Sequence, residues 1–272
     1  MKVCLSCGQV AENTDAFCPR CGKPLPVSAA ASPAAVYVYQ MPSSPPPSAD
    51  ELPSMERFGT ASLLGLLAFL ASTASGVVMI VYLRGAILIN TANNTVTISS
   101  NIIPLLWFSA GVEAVSLAIL IGSLYYYRQV FVGLRDRAPT FSTPAALAVL
   151  AMVGAALLIV GSFVEVQYTV GLIHCLNQPG ATTGSCAGGG AVVASLGLVG
   201  VAAIVFFIGL VGVLIGVWRV GVRYRTDLPR IGAVLSIFPY INWIGMLLNY
   251  LGAAQIRSRL RGGSGPGSGG AG

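Results

Sequence analysis

The chain has 272 residues, of which 55% are hydrophobic and only 9% are charged, and its mean hydropathy is +0.78. An ordinary soluble domain is about 25% charged, and a soluble fold of this size could not bury so much apolar surface. The composition therefore excludes an ordinary soluble enzyme, and it excludes intrinsic disorder for most of the chain. The net charge is +6, but the arginines lie beside apolar segments rather than in one dense patch, so no nucleic-acid partner is expected.

The first 26 residues carry two Cys-x-x-Cys pairs, formed by Cys4, Cys7, Cys18 and Cys21. Four thiolates at this spacing fit one tetrahedral, structural Zn²⁺ and leave no coordination position for a catalytic water. So short a segment needs a metal or disulfides to fold, and iron in the same cage or a pair of disulfides are the alternatives. The segment resembles the small zinc-ribbon modules with a CxxCG…CPxCG pattern that often open archaeal and bacterial membrane proteins. Because four thiolates close the coordination sphere, a protein-docking or purely structural role is the default expectation.

Residues 27–56 are rich in Pro, Ala and Ser. The run Pro45-Pro46-Pro47 favours polyproline II, an extended conformation without internal hydrogen bonds. We therefore expect a flexible, disordered linker that holds the ribbon away from the membrane.

Residues 57–261 contain long apolar stretches, each long enough to cross ~30 Å of hydrocarbon as a helix of ~20 residues. The predicted fold class is an all-α integral membrane helical bundle with about five transmembrane helices, preceded by the ribbon and the linker. Residues 262–272 are almost all Gly and Ser, which predicts a disordered tail. The predicted spans are 61–83, 105–127, 144–170, 191–218 and 231–254.

The arginines predict the orientation. The second and fourth connections are rich in arginine, whereas the first and third carry only Arg84, so the positive-inside rule places the N-terminus in the cytoplasm of a multi-pass cell-membrane protein. A reducing cytoplasm would keep the zinc thiolates available. The third connection then lies outside, where Cys175 and Cys186 can form a disulfide, with two free thiols as the alternative. Asn93 opens a glycosylation sequon in the first outer connection.

The fifth apolar segment conflicts with this rule, because a crossing would place Arg257, Arg259 and Arg261 outside. Its total length fits one span, which favours a single crossing kinked at Pro239. The alternative is a segment that enters the membrane, turns near Pro239 and returns, which leaves the C-terminus inside.

Two acidic residues, Glu113 and Glu165, fall inside predicted spans, both in the outer half. An ionisable residue inside a membrane is a functional hypothesis by default, here an outward-facing polar site for a proton or cation. The competing hypothesis is an internal ion pair of Glu113 with Arg84 that fixes helix register. No catalytic motif accompanies these residues, so we expect the protein not to be an enzyme.

Small residues recur at four-residue spacing on three of the predicted helices, which favours close helix contacts and also allows a homo-oligomer. These residues are Ala68, Ser72 and Gly76 on the first helix, Ala110, Ala114, Ala118 and Gly122 on the second, and Gly212 and Gly216 on the fourth.

Aromatic, Gly and Pro residues mark the ends of several predicted helices. They are Tyr127-Arg128, Phe131, Gly133-Leu134, Phe141 and Pro144 around the second connection, Trp218-Arg219 and Gly221 after the fourth helix, and Pro239, Asn242 and Gly245 in the fifth segment. With this pattern, residues ~55–260 resemble an archaeal membrane-protein family known only as domain of unknown function 973. The resemblance implies an archaeal source and a multi-pass fold, but no activity. We therefore predict a non-enzymatic protein of the lipid bilayer whose cytoplasmic ribbon recruits or senses a protein partner. The alternative is a small transporter or channel component using Glu113 and Glu165.

Overall fold

The computed structural model describes residues 2–3, 10–11, 17, 20–21, 23, 47–90, 95–98, 102–178, 186 and 189–262, and of these it leaves the side chains of 2–3, 10–11, 82–90, 95–98 and 189–196 undescribed. The chain divides into two compact units, Met1–Pro45 and Pro46–Gly272. The predicted tail at 263–272 and most of the predicted linker lie outside the described residues.

The first unit contains a small antiparallel hairpin of β1 (Lys2–Val3) and β2 (Val10–Ala11). Lys2 pairs with Ala11 and Val3 pairs with Val10. The first Cys-x-x-Cys pair, at residues 4 and 7, therefore falls in the connection between the two strands.

The second unit is helical. Its helices are α1 (Leu52–Ala86), α2 (Ile102–Arg135), α3 (Ser142–Leu176), α4 (Gly189–Arg223), α5 (Asp227–Leu235) and α6 (Asn242–Gly262). Between α1 and α2, strands β3 (Ile87–Asn90) and β4 (Thr95–Ile98) pair antiparallel, with Ile87 opposite Ile98. Each helix packs against the next along the chain, and α6 returns to pack against α1, so the helices form a closed ring.

Four helical segments of the described chain are long and apolar enough to cross a membrane, which confirms its membrane character. They are Ala49–Val81, Ile102–Arg135, Pro139–Leu176 and Gly197–Arg223. The helices extend well beyond the predicted spans because apolar length sets only the membrane-crossing part of a helix.

The single kinked crossing expected for residues 231–254 is wrong. The chain leaves the helical conformation after Leu235, turns through residues 236–241 and folds back as α6. Gly232 and Gly245 lie at the crossing of α5 with α6, where a Cβ on either would overlap a neighbouring side chain or carbonyl. The alternative that the sequence left open, entry and return near Pro239, therefore matches the structure, because two glycines let the halves pack as an antiparallel hairpin.

The predicted linker also extends too far. Residues Ala49–Glu51 form a 3₁₀ turn that leads directly into α1 at Leu52, so the last residues of the predicted 27–56 segment belong to the helical unit. Pro53 in the first turn of α1 is compatible with a helix because its missing N–H has no intrahelical partner there.

The largest buried side chains gather at the end of the bundle where α1 begins. Phe131 stacks on Phe141 with ring centroids 6.1 Å apart and on Tyr127 at 6.2 Å. Met55 and Phe58 are fully buried in the same cluster. Burial of such side chains from the surrounding lipid and water orders this end of the bundle by close packing.

Helices α3 and α4 approach so closely that a glycine is required at their contact. A Cβ on Gly209 would overlap the backbone of Ala151, and a Cβ on Gly154 would overlap that of Phe206. Small residues of this kind allow the dispersion contacts that hold membrane helices together.

We expect Gly209→Ala to destabilise the protein by about 1–3 kcal/mol, because the added methyl group forces α3 and α4 apart. Gly200→Ala on the same helix is the matched control, since a Cβ added at that position would meet nothing within 4 Å. The control gains up to about 1 kcal/mol from helix propensity. Thermal unfolding of both variants in one detergent measures the difference, and equal midpoints would contradict the packing described here.

Candidate functional site

A buried ion-pair cluster lies where the N-terminal segment joins the bundle. Glu51 is only 2% exposed, and the Arg223 side chain beside it is 5% exposed. The Nη2 of Arg223 is 2.6 Å from Oε1 of Glu51, and its Nε donates to Oε2 at 3.3 Å. This two-point geometry is the arrangement in which Arg binds a carboxylate most strongly.

Arg137, in the connection between α2 and α3, also contacts the 3₁₀ turn. Its Nη1 donates to Glu51 Oε1 at 3.2 Å and to the Ser48 hydroxyl at 2.6 Å. Its Nη2 lies 3.3 Å from a carboxylate oxygen of Asp50. The turn that precedes α1 is thereby attached to two other parts of the bundle. We call Ser48, Asp50, Glu51, Arg137, Arg223 and Tyr224 the joint cluster.

Tyr224 completes the coordination of Glu51 by donating its hydroxyl hydrogen to Oε2. Burial and this hydrogen bond raise the pKa of the Tyr224 phenol well above its usual value, so the hydroxyl remains a donor at physiological pH. Helix α4 ends at this point because Arg225 adopts a left-handed backbone conformation, with φ of 49°, and Thr226 N–H bonds the Gly221 carbonyl. That helix end directs Tyr224 towards Glu51.

The hydrogen bonding of the joint cluster is that of a structural contact that holds segments together. An ionised carboxylate has about four acceptor positions, and Glu51 receives two hydrogen bonds from Arg223, one from Arg137 and one from Tyr224. No acceptor position is left for a substrate proton or a cation. The charges of Asp50 and Glu51 offset those of Arg137 and Arg223, so the cluster is neutral.

A second set of polar contacts joins α1 and α2. The hydroxyl groups of Ser62 and Tyr127 are 3.0 Å apart, and Ser62 is fully buried. In addition, Ser123 Oγ donates to the Ala61 carbonyl at 2.7 Å. These bonds fix α2 against α1.

No described contact joins the two intramembrane acids that were predicted as a site. Ser72 of α1 donates a hydrogen bond of 2.8 Å to Oε2 of Glu113, which is half-buried. Glu165 is exposed on α3, and none of its described contacts joins it to Glu113. The side chain of Arg84 lies outside the described residues, so its proposed pairing with Glu113 stays a prediction.

Of the other predicted site residues, the structure describes some and leaves others undescribed. Cys175 and Cys186 are joined by a disulfide, next to the end of α3 that is distant from the joint cluster. Asn93 lies outside the described residues. Of the four zinc-ligand candidates, Cys21 is exposed in a turn and Cys4, Cys7 and Cys18 are not described. Within the described part of the chain, no group of three or more His, Cys, Asp or Glu side chains could hold a metal ion.

The joint cluster was not predicted from the sequence. Glu51 looked like a linker residue, because it follows Asp50 in a stretch of Pro, Ala and Ser. Its partner Arg223 is 172 positions away. A weak signal was available, since an acidic residue before a helix and an arginine in the last turn of another both favour the helix dipoles.

The apolar helices and their closed ring define a multi-pass α-helical membrane protein. A family model described as "Protein of unknown function (DUF973)" matches residues 51–268, which is most of the chain, and the protein belongs to this family. The match begins at Glu51 and includes every helix from α1 to α6. No curated protein and no solved structure matches the chain.

Proposed function

We propose that this protein is a non-enzymatic membrane protein whose N-terminal module binds one structural Zn²⁺ and recruits or senses a protein partner in the cytoplasm. The observation that carries the proposal is the joint cluster. The segment that leads from the Cys-rich module ends in a buried, fully hydrogen-bonded carboxylate, so displacement of that segment acts directly on the connection between α2 and α3 and on the C-terminal end of α4.

The donor set of the module favours zinc. Cys4 and Cys7 belong to the short connection between the paired strands β1 and β2, and two thiolates at this spacing can bind one ion. Cys18 and Cys21 would supply the second pair of thiolates. Bound zinc would supply folding energy to this short unit.

The arrangement of arginines supports a cytoplasmic N-terminus. Arg261 contacts Glu56 at the start of α1, and Arg259 bonds the Arg225 carbonyl after α4. The C-terminal arginines therefore share one end of the bundle with the Arg-rich connections, and the disulfide lies towards the other end. Under the positive-inside rule, the arginine-rich end faces the cytoplasm, and the hairpin of α5 and α6 removes the earlier conflict with the rule.

A photo-crosslinking residue at position 17 in the full chain tests the recruiting function. Phe17 is 63% exposed, and exposed aromatic side chains are common contacts in protein interfaces. We expect one discrete adduct with a cytoplasmic protein in intact cells, and we expect Cys4→Ser to abolish it because the module no longer folds. The same crosslinker at Tyr240, in the hairpin turn, is the control and should give lipid adducts.

Two outcomes would contradict this proposal. An adduct that persists unchanged in the Cys4→Ser chain would show that the folded module is not the recognised surface. An adduct with a protein from the opposite side of the membrane would overturn the orientation.

A small transporter or channel component is the second candidate, and the half-buried Glu113–Ser72 contact is the observation in its favour. If Glu113 carries a proton or cation, Glu113→Gln should lower ion or solute flux in proteoliposomes at least ten-fold, while Glu165→Gln tests the exposed acid separately. The first proposal instead expects unchanged flux and an unchanged crosslink at position 17.

A further inference from the structure

A groove between α4 and α5 opens at the outer surface of the bundle. Its volume is about 310 Å³, and its walls are apolar side chains, among them Leu214 and Trp218 of α4, Val234 of α5 and Ile237 in the turn that follows α5. Trp218, Val234 and Ile237 are 44–57% exposed. The groove therefore faces the hydrocarbon of the membrane and has room for one slender apolar chain. We call it the α4–α5 groove.

One end of the α4–α5 groove carries a positive charge. Arg219 lines the groove, and its guanidinium group donates to the Thr140 carbonyl in the connection between α2 and α3. That bond holds the cation at the arginine-rich end of the bundle. Among the described residues, no carboxylate forms an ion pair with Arg219, whereas nearby Arg223 pairs with Glu51 and Arg230 with Asp227.

The length of the groove is close to the hydrocarbon thickness of one leaflet. From Phe207 to Arg219 the groove follows α4 for about 18 Å, at a rise of about 1.5 Å per residue. Half of the hydrocarbon thickness of a bilayer is about 15 Å. Trp218, immediately before the arginine, is of the residue type that favours the boundary between hydrocarbon and headgroups.

We propose that the α4–α5 groove is a binding site for an anionic phospholipid, with one acyl chain along the apolar walls and the headgroup phosphate paired with Arg219. The argument is charge complementarity. The groove is apolar over the depth of one leaflet and ends at Arg219, for which the described part of the chain supplies no carboxylate partner. An anionic phospholipid likewise combines an apolar chain with a charged headgroup. A wholly apolar helix from another protein would leave this cation without an anion.

Trp218 can report on the lipid that occupies the groove. The chain has three Trp residues, so Trp107→Phe and Trp243→Phe leave Trp218 as the only indole. The full chain is placed in vesicles of equal parts phosphatidylcholine and phosphatidylglycerol, with bromine quenchers on the acyl chains of one lipid or the other. We expect the relative binding constant at Trp218 to favour phosphatidylglycerol about five-fold, the effect of one basic side chain near an anionic surface.

Two substitutions test the role of Arg219. Arg219→Gln should bring the relative binding constant close to one, and Arg219→Lys should retain most of the preference, because it keeps the charge. Arg128→Gln, on α2 outside the groove, is the matched control and should leave the preference unchanged.

If the two brominated lipids quench Trp218 fluorescence equally in the chain that retains Arg219, the proposal is overturned, whatever the Arg219 variants show. An undiminished preference in Arg219→Gln would also overturn it. If Arg219→Gln fails to fold, loss of the preference at 0.5 M salt in the unsubstituted site still tests the charge pairing, since screening weakens it.

Discussion

Glu51→Ala is expected to lower the free energy of unfolding by about 3–5 kcal/mol, because it leaves Arg223 buried without its counter-charge. The Arg223 side chain is only 5% exposed, so water cannot easily replace the lost carboxylate. Tyr224 loses its acceptor at the same time, which adds to the cost of the substitution. Titration of the folded protein with denaturing detergent, followed by loss of helical structure, measures this effect.

Glu56→Ala is the matched control. Glu56 also pairs with an arginine, Arg261, but both side chains are more than half exposed, and the pair is 3.4 Å apart. Exposed pairs of this kind contribute about 0–1 kcal/mol. If the two substitutions lower the free energy of unfolding by similar amounts, the buried Glu51 ion pair contributes no more than an exposed pair. The proposed coupling of the N-terminal segment to the bundle would then lose its support.

The second large effect concerns the metal. We expect the purified chain to contain one Zn²⁺, and we expect Cys4→Ser, Cys7→Ser, Cys18→Ser or Cys21→Ser each to reduce the zinc content to near zero. Zinc-finger peptides owe about 10–16 kcal/mol to their metal, so removal of one thiolate should unfold the module rather than loosen it. Elemental analysis of the full chain gives the stoichiometry, and proteolysis near the N-terminus reports the loss of structure.

Cys175→Ser is the control for the zinc measurement, since that thiol belongs to the disulfide with Cys186 and not to the module. It should leave the zinc content at one. Full zinc occupancy in Cys4→Ser, or iron in place of zinc in the native chain, would contradict the assignment of a structural Zn²⁺ site.

The four apolar helices could be predicted from the sequence because hydropathy reports directly on the solvent that surrounds a segment. The fate of residues 231–254 could not, since length and composition are the same for a crossing and for a hairpin. Pro239 predicted a break in the helix but not the direction of the chain after it. That direction depends on Gly232 and Gly245, whose role is visible only once α5 and α6 are side by side.

The small-residue pattern was only partly informative. Gly212 and Gly216 lie at close contacts, against Leu147 and Phe131, as their spacing predicted. Gly76 belongs to the same kind of pattern, yet a Cβ added there would meet nothing within 4 Å. The close approach of the α3 and α4 backbones involves Gly154 and Gly209, which stand outside the predicted series. Spacing identifies a smooth face on one helix, but the partner helix decides whether that face is used.

The polar sites also differ in how far the sequence predicts them. An acid inside an apolar run, such as Glu113, is conspicuous in a sequence because it contradicts its surroundings. By contrast, an acidic residue such as Glu51 is ordinary in a Pro-rich stretch, and its burial results from contacts made by distant segments. Long-range pairing of this kind follows from the ring of helices, which local patterns do not determine.

The hairpin of α5 and α6 makes the two leaflets of the membrane unequal around this protein. Gly65, about 20 Å along α1 from its first residue, lies beside Met246 near the turn of the hairpin. Within the described residues, six helices thus share the leaflet at the arginine-rich end, and four continue into the opposite leaflet. The helical unit is therefore broader at its arginine-rich end than at the other, and many copies side by side would impose a common sign of curvature on a bilayer that holds them.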